Sequence, residues 1–139
     1  MLPHSEMSTT HTFDGSCHCG AVRFRVTVDE GQEIIDCNCS ACTKKGIVHF
    51  IVPEDRFELL RGADALAVYT FNTGVAKHMF CRTCGIHAFY RPRSHPDCWD
   101  VNVRCLDDTT VRERFPVKHF DGRDWEAHID EIRSDPSVA

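Results

Sequence analysis

The sequence predicts a mainly β domain of many short strands closed by one terminal helix. Three observations predict it. Apolar and polar residues alternate over short runs, a helical period occurs only near the end, and cysteines cluster at the turns between runs. Segment 22–28 sets Val22, Phe24, Val26 and Val28 against Arg23, Arg25 and Thr27, the pattern of a strand buried on one face. Segment 47–52 is a second strand, stopped by Pro53. Segments 66–71 and 75–80 flank Asn72-Thr73-Gly74, a spacer that reads as a hairpin turn with Gly74 left-handed. Segments 86–91 and 98–103 are further strands. Trp125, His128, Ile129 and Ile132 then follow a helical spacing, with Asp121 or Asp124 as the N-cap. The polar ends, 1–12 and 134–139, read as mobile, which leaves a single domain over 13–133.

A chain of 139 residues is long enough to bury one core without help. Its net charge of −5 makes nucleic acid or an anionic membrane a poor default partner. The first residues, MLPHSEMSTTHT, carry neither a basic nor an apolar leader region, and no run approaches the ~20 apolar residues that span a bilayer. The expectation is a cytoplasmic protein, where thiols stay reduced.

Nine cysteines are the outlier. Seven of them fall in three clusters: Cys17-His18-Cys19-Gly20, Cys37-Asn38-Cys39-Ser40-Ala41-Cys42 and Cys81-Arg82-Thr83-Cys84-Gly85. Clustered cysteines in a reducing compartment indicate metal rather than disulfides. Zinc takes thiolates at about 2.3 Å in a tetrahedron, and a pair one or two residues apart supplies half of it from a single turn. Two pairs close one site, whereas a triplet leaves one position open. Closed zinc sites are structural and open ones reactive, so the arithmetic suggests one of each. Spacing alone does not fix the grouping. Cys39/Cys42 with Cys81/Cys84 also reads as a zinc ribbon, leaving Cys17, Cys19 and Cys37 over. A site of three thiolates activates water poorly but suits capture of a fourth soft ligand, a thiol held as thiolate.

The run 15–24, GSCHCGAVRF, resembles the opening motif of the glutathione-dependent formaldehyde-activating enzyme family, which includes centromere protein V. CNCSAC at 37–42, FCRTCG at 80–85 and NVRCLD at 102–107 match its other motifs in order, and YTFNT at 69–73 is similar to the centromere-protein branch. The resemblance covers roughly 13–130. It implies a zinc-stabilised β-tent of antiparallel sheets. It implies that Cys17, Cys19, Cys81 and Cys84 hold a structural zinc and that Cys37, Cys39 and Cys42 hold a second, catalytic zinc. It also implies joining of glutathione or a related thiol to formaldehyde or another small aldehyde, the reverse of a carbon–sulfur lyase.

Two other functions compete. One is a non-catalytic zinc module for a macromolecular partner, as among the centromere-protein relatives, for which Arg23, Arg25 and Arg82 could share a basic face. The other is a thiol or metal sensor. A side chain that closes the second centre, Cys105 or a histidine, would count against the enzyme. His18, His49, His78, His87 and His119 read as surface or satisfied histidines, with room for one at the metal pocket. Lys44 and Lys45 either steer carboxylates toward the metal or are solvated, and Arg91 and Arg93 invite the same two readings. Cys105 is expected near the second centre, Cys98 as an ordinary thiol, and Trp99 and Trp125 as core aromatics.

Overall fold

The computed structural model describes residues 9–71, 74, 76–92 and 94–122. The expected terminal helix, with Asp124 and Trp125, lies outside them, as do Asn72, Thr73 and Arg93. The chain is mainly β, as predicted. A three-stranded sheet joins β1 (Thr10–Ser16), β2 (Arg23–Asp29) and β5 (Phe57–Arg61) in the order β1-β2-β5. A five-stranded sheet has the order β10-β3-β4-β9-β8, from β3 (Ile34–Cys37), β4 (His49–Pro53), β8 (Phe89–Tyr90), β9 (Cys98–Asn102) and β10 (Val117–Phe120). β6 (Leu66–Tyr69) and β7 (His78–Cys81) pair as a two-stranded ribbon. Every pairing is antiparallel except β10 with β3. The described helices are α1 (Ser40–Lys45), α2 (Val111–Arg114) and three short 3-10 turns, and none is long and apolar enough to cross a membrane.

Alternation on β2 builds the core. Phe24, Val26 and Val28 are fully buried, while Arg25 and Asp29 face water. They pack against Phe50 and Val52 of β4, Phe89 of β8 and Val101 of β9. On the five-stranded sheet the opposite parity points the other way: Ile35, His49, Ile51, Tyr90 and Asp100 face away from that core and line a cavity. One sheet thus makes a dry core on one side and a chemically equipped wall on the other.

Several boundaries differ from the sequence reading. β1 begins at Thr10, so residues 10–12 of the polar end pair with β2 instead of trailing free of the domain. The hairpin over 66–80 is shorter in its arms, with Leu66 opposite Cys81 and Tyr69 opposite His78, although Gly74 is left-handed as expected at φ 74°. Segment 86–91 keeps only two strand residues, because the Cys81 amide bonds the Ile86 carbonyl (3.0 Å) and holds that stretch in the turn round the third cluster.

Candidate metal centres

The first centre forms where two tight turns meet. Cys17 and Cys19 follow β1, Cys81 ends β7, and Cys84 lies in the turn beyond it. Their four sulfurs all lie within 4.8 Å of one another. The Sγ of Cys19 is 3.7 Å from those of Cys17 and Cys81. A tetrahedron with metal–sulfur bonds of about 2.3 Å has edges of about 3.8 Å, so the four sulfurs fit a zinc-sized ion. The backbone completes each turn: Gly20 and Gly85 take φ of 82° and 80°, and the amides of Val22 and Thr83 point at Cys17 Sγ and Cys81 Sγ (3.4 Å each). Without a cation the thiols conflict. The Ala21 amide pulls Cys19 down, but burial and the surrounding thiols carry it up to about 11. Burial opposes ionisation of Cys84, yet the amides of Cys19 and Ile86 help bring it down to about 6.

The second centre sits at the C-terminal ends of β3 and β10, the parallel pair. Cys37 ends β3, Cys39 caps α1 and accepts the Cys42 amide on Sγ (3.2 Å), and Cys42 lies in the helix's first turn. Their sulfurs also lie within 4.8 Å of one another, and among the described residues no fourth His, Cys, Asp or Glu atom shares that mutual distance. Hydrogen bonds from Cys37 and Cys42 bring Cys39 down to about 2; that partnership with Cys39 pushes Cys37 up to about 11, and Cys42 is raised by both neighbours. The three thiols thus oppose one another's ionisation, and a bound cation would favour ionisation of all three. Gly122, just past β10, packs on this centre. A Cβ there would collide with Cys37 Sγ and lie 3.0 Å from Cys39 Cβ.

Around these three sulfurs opens a cavity of about 710 Å³. Its size suits a small organic ligand. Ile35, Ile51, Phe71, Ala76, Pro92 and Phe120 give it apolar walls. His49 lies 3.3 Å from Cys42 Sγ through Nε2, while its Nδ1 bonds buried Asp100 at 2.7 Å. His78 and Tyr90 stack at 4.9 Å on the same wall. Behind them the half-buried Lys45 donates to His78 Nδ1 (2.6 Å) and rides over the Tyr90 ring at 4.8 Å. Burial lowers the Lys45 pKa.

Of the groupings open from spacing, the structure brings together Cys17/Cys19/Cys81/Cys84 and Cys37/Cys39/Cys42, and not the ribbon. Two histidines line the cavity rather than one, His49 and His78, while His18 and His119 are exposed. Lys44 is exposed on the cavity rim, whereas Lys45 is half-buried and bonded to His78 instead of solvated. Cys105 is not at the second centre. It packs against the first, where burial and the charges of Cys17 and Cys84 raise its pKa to about 11. Cys98 is a half-buried thiol beside Asp97. The suggested basic face is largely neutralised, since Arg23 pairs with Asp107 and Arg25 with Asp14. Arg91 covers Trp99 (3.7 Å) and pairs with Glu54, which makes it a structural clamp. Sequence reasoning missed Asp100, Tyr90 and Gly122. The signal for Asp100 was available: a carboxylate inside the apolar run of segment 98–103.

Comparison with known proteins bears on these centres. Residues 12–120 match the model of the family described as glutathione-dependent formaldehyde-activating enzyme. A curated relative from Halomonas elongata, named for glutathione-dependent formaldehyde activation, is 32% identical over 122 residues, spanning 81% of this chain and 78% of its own. A crystal structure of a Rhodobacter sphaeroides protein superposes with a TM-score of 0.67 at 36% identity, covering 76% of this chain and 99% of that one.

Proposed function

The chain belongs to the glutathione-dependent formaldehyde-activating enzyme family, and from that premise we propose that it captures a thiol and adds it to a small aldehyde. In this reading glutathione or a related thiol is captured at Cys37, Cys39 and Cys42, and formaldehyde or another small aldehyde is the acceptor. The reaction is that of a carbon–sulfur lyase run in the synthetic direction. One observation carries it: three sulfurs converge on the wall of a 710 Å³ cavity, and among the described residues no fourth His, Cys, Asp or Glu atom lies within 4.8 Å of all three. Zinc, held by those three cysteines, would supply a Lewis-acidic position that keeps a captured thiol ionised. Cys17, Cys19, Cys81 and Cys84 would hold a second, structural zinc. The donor sets fit that ion, four sulfurs at tetrahedral spacing in one case and three crowded thiols in the other.

The chain's own residues do the rest. Asp100 anchors His49, and His49 fixes the Cys42 sulfur. Ile35, Ile51, Phe71 and Phe120 exclude water from the reacting carbon. Lys44, on the rim, attracts the carboxylates of glutathione. Holding thiolate and aldehyde side by side supplies most of the acceleration, because the addition itself is easy.

Native mass spectrometry of the zinc-loaded protein titrated with glutathione tests the reading. Two metals and a saturable one-to-one adduct, lost in Cys39→Ser, are expected. Two metals with no adduct would overturn thiol capture.

A further inference from the structure

The walls of the cavity divide by chemistry. Beside the triplet they are polar: Asn38, Ser40, Thr43 and Lys44 are all exposed, and all belong to the loop and helix that carry the cysteines. Another part of the wall comes from elsewhere in the chain and is apolar. Ile51 stands on β4, Phe71 lies just past β6, Ala76 precedes β7 and Pro92 follows β8. Ile51 and Cys37 both pack against the pair Ile35 and Phe120, so this apolar wall runs up to the triplet. A row of rings leads inward as well. Tyr69 stacks on Phe71 at 5.6 Å, Phe71 on His78 at 5.1 Å, and His78 on Tyr90 at 4.9 Å. Exposure falls along it, from 55% at Tyr69 and 38% at Phe71 to buried at His78 and Tyr90, and Tyr90 clusters with Cys42. Glutathione fits only part of this cavity. Its two carboxylates and its ammonium are costly to strip of water against apolar side chains, so they belong at the polar rim, and only the CH₂–S arm goes inward. Formaldehyde has no apolar surface to bury and gains nothing from Ile51, Phe71 or Ala76. Neither molecule accounts for the apolar wall.

We propose that the acceptor at this site is an aldehyde with an apolar substituent, an aryl group or an alkyl chain, seated on the wall of Ile51, Phe71 and Ala76 while the peptide thiol occupies the rim of residues 38–44. The inference rests on the thiol-addition reading above and names the class of its second substrate. The thiolate sulfur forms its bond to the carbonyl carbon, the π pair of the C=O bond moves onto oxygen, and oxygen takes a proton from solvent. Thiolate, aldehyde and one proton thus give the neutral S-(1-hydroxyalkyl) adduct, with nothing oxidised or reduced. Burying the substituent holds the carbonyl beside the sulfur, a gain that formaldehyde cannot draw on. Phe71, part exposed on the cavity wall, offers its ring to an aromatic substituent in the manner of the stacks behind it.

The test uses the full zinc-loaded chain with glutathione and four aldehydes: formaldehyde, acetaldehyde, hexanal and phenylacetaldehyde. NMR exchange spectroscopy reads formation and breakdown of each adduct, and kcat/KM is expressed relative to that aldehyde's spontaneous rate. The ratio should rise at least about tenfold from acetaldehyde to hexanal and to phenylacetaldehyde, since even one methylene in an apolar pocket is worth about that much. Phe71→Ala, at a part-exposed position where truncation spares the core, should cut the preference for phenylacetaldehyde over formaldehyde about tenfold. Lys44→Gln should raise KM for glutathione and keep that preference within about twofold of wild type. A second series pairs formaldehyde with benzyl mercaptan in place of glutathione. If formaldehyde is accelerated as well as phenylacetaldehyde, or if the apolar thiol outperforms glutathione while the aldehyde substituent makes no difference, the inference is overturned and thiol addition stands. If no aldehyde is accelerated, the thiol-addition reading falls and this inference with it.

Discussion

Gly122→Ala isolates the geometry of the second centre from everything else in the fold. Gly122 is not among the glycines with positive φ, so alanine costs nothing in backbone conformation there. The whole effect comes from one added carbon. That carbon would sit on Cys37 Sγ and 3.0 Å from Cys39 Cβ, with the Cys39 amide nitrogen at 3.3 Å. Ordinary contact begins near 3.5 Å, so the Cys37 sulfur must retreat by about 1 Å. Metal sites tolerate shifts of about 0.2 Å in a ligand bond, and a thiolate displaced by several times that is lost as a ligand. Disturbing one partner around a metal typically lowers affinity by about 10- to 100-fold, and loss of one of three ligands belongs at the upper end. Competition against a chromophoric chelator, with the metal count from native mass spectrometry, reads the result. The four-cysteine centre serves as internal control, because Gly122 does not touch it. The expected outcome is one tightly held metal, one metal weakened about 100-fold, and an unchanged far-UV spectrum. Two metals of wild-type affinity would refute the reading that Cys37 is held against the turn after β10 as a ligand.

Other outcomes follow from the same geometry. Cys39→Ser should bind one metal and stay folded, whereas Cys17→Ser should give unfolded or insoluble protein, because a closed structural site contributes folding energy outright; metal counting with circular dichroism checks both. Stepwise chelation of wild type should remove the three-cysteine metal first, with Tm falling only on loss of the second, and a single step would contradict two unequal centres. His78 and His87, both held near 4 chiefly by burial against an ordinary value of 6.5, stay neutral in the fold while the unfolded chain charges. Their contribution is intact above pH 6.5 and is lost as pH falls from 6.5 toward 4; His78→Phe should flatten the fall in Tm over that window relative to wild type. Glu54 has its pKa lowered by hydrogen bonds from Arg91 and then Trp99, so Glu54→Gln should lower Tm at neutral pH and lose that difference as pH drops below the carboxylate range.

What the sequence made legible was what depended on local period or local spacing. Segment 22–28 alternates because one face of β2 is fully buried, and the structure buries Val22, Phe24, Val26 and Val28 as the pattern required. The cysteine clusters were legible because a turn that presents two sulfurs to one point needs fixed spacing and a glycine beside it, as at Gly20 and Gly85. β1, β3 and β10 were not legible. β1 is mostly polar and is held by pairing along the whole of β2, a long-range fact that leaves no period in residues 10–16. β3 and β10 are four residues each and pair in parallel, too short to show alternation. Yet that parallel pair carries the cysteine triplet at its end and swings Gly122 over it. The rest of the site was not legible because strands 47–52 and 98–103 carry apolar and polar residues that are buried on both faces of the five-stranded sheet. His49 and Asp100 look like polar interruptions in strands that should be buried, and they are buried. Phe50, Val52 and Val101 fill the core from one face of those strands, so the intervening positions have to be buried against something else. A polar side chain recurring at those positions is the mark of a second enclosed face, and a second enclosed face on so small a sheet is the wall of a site.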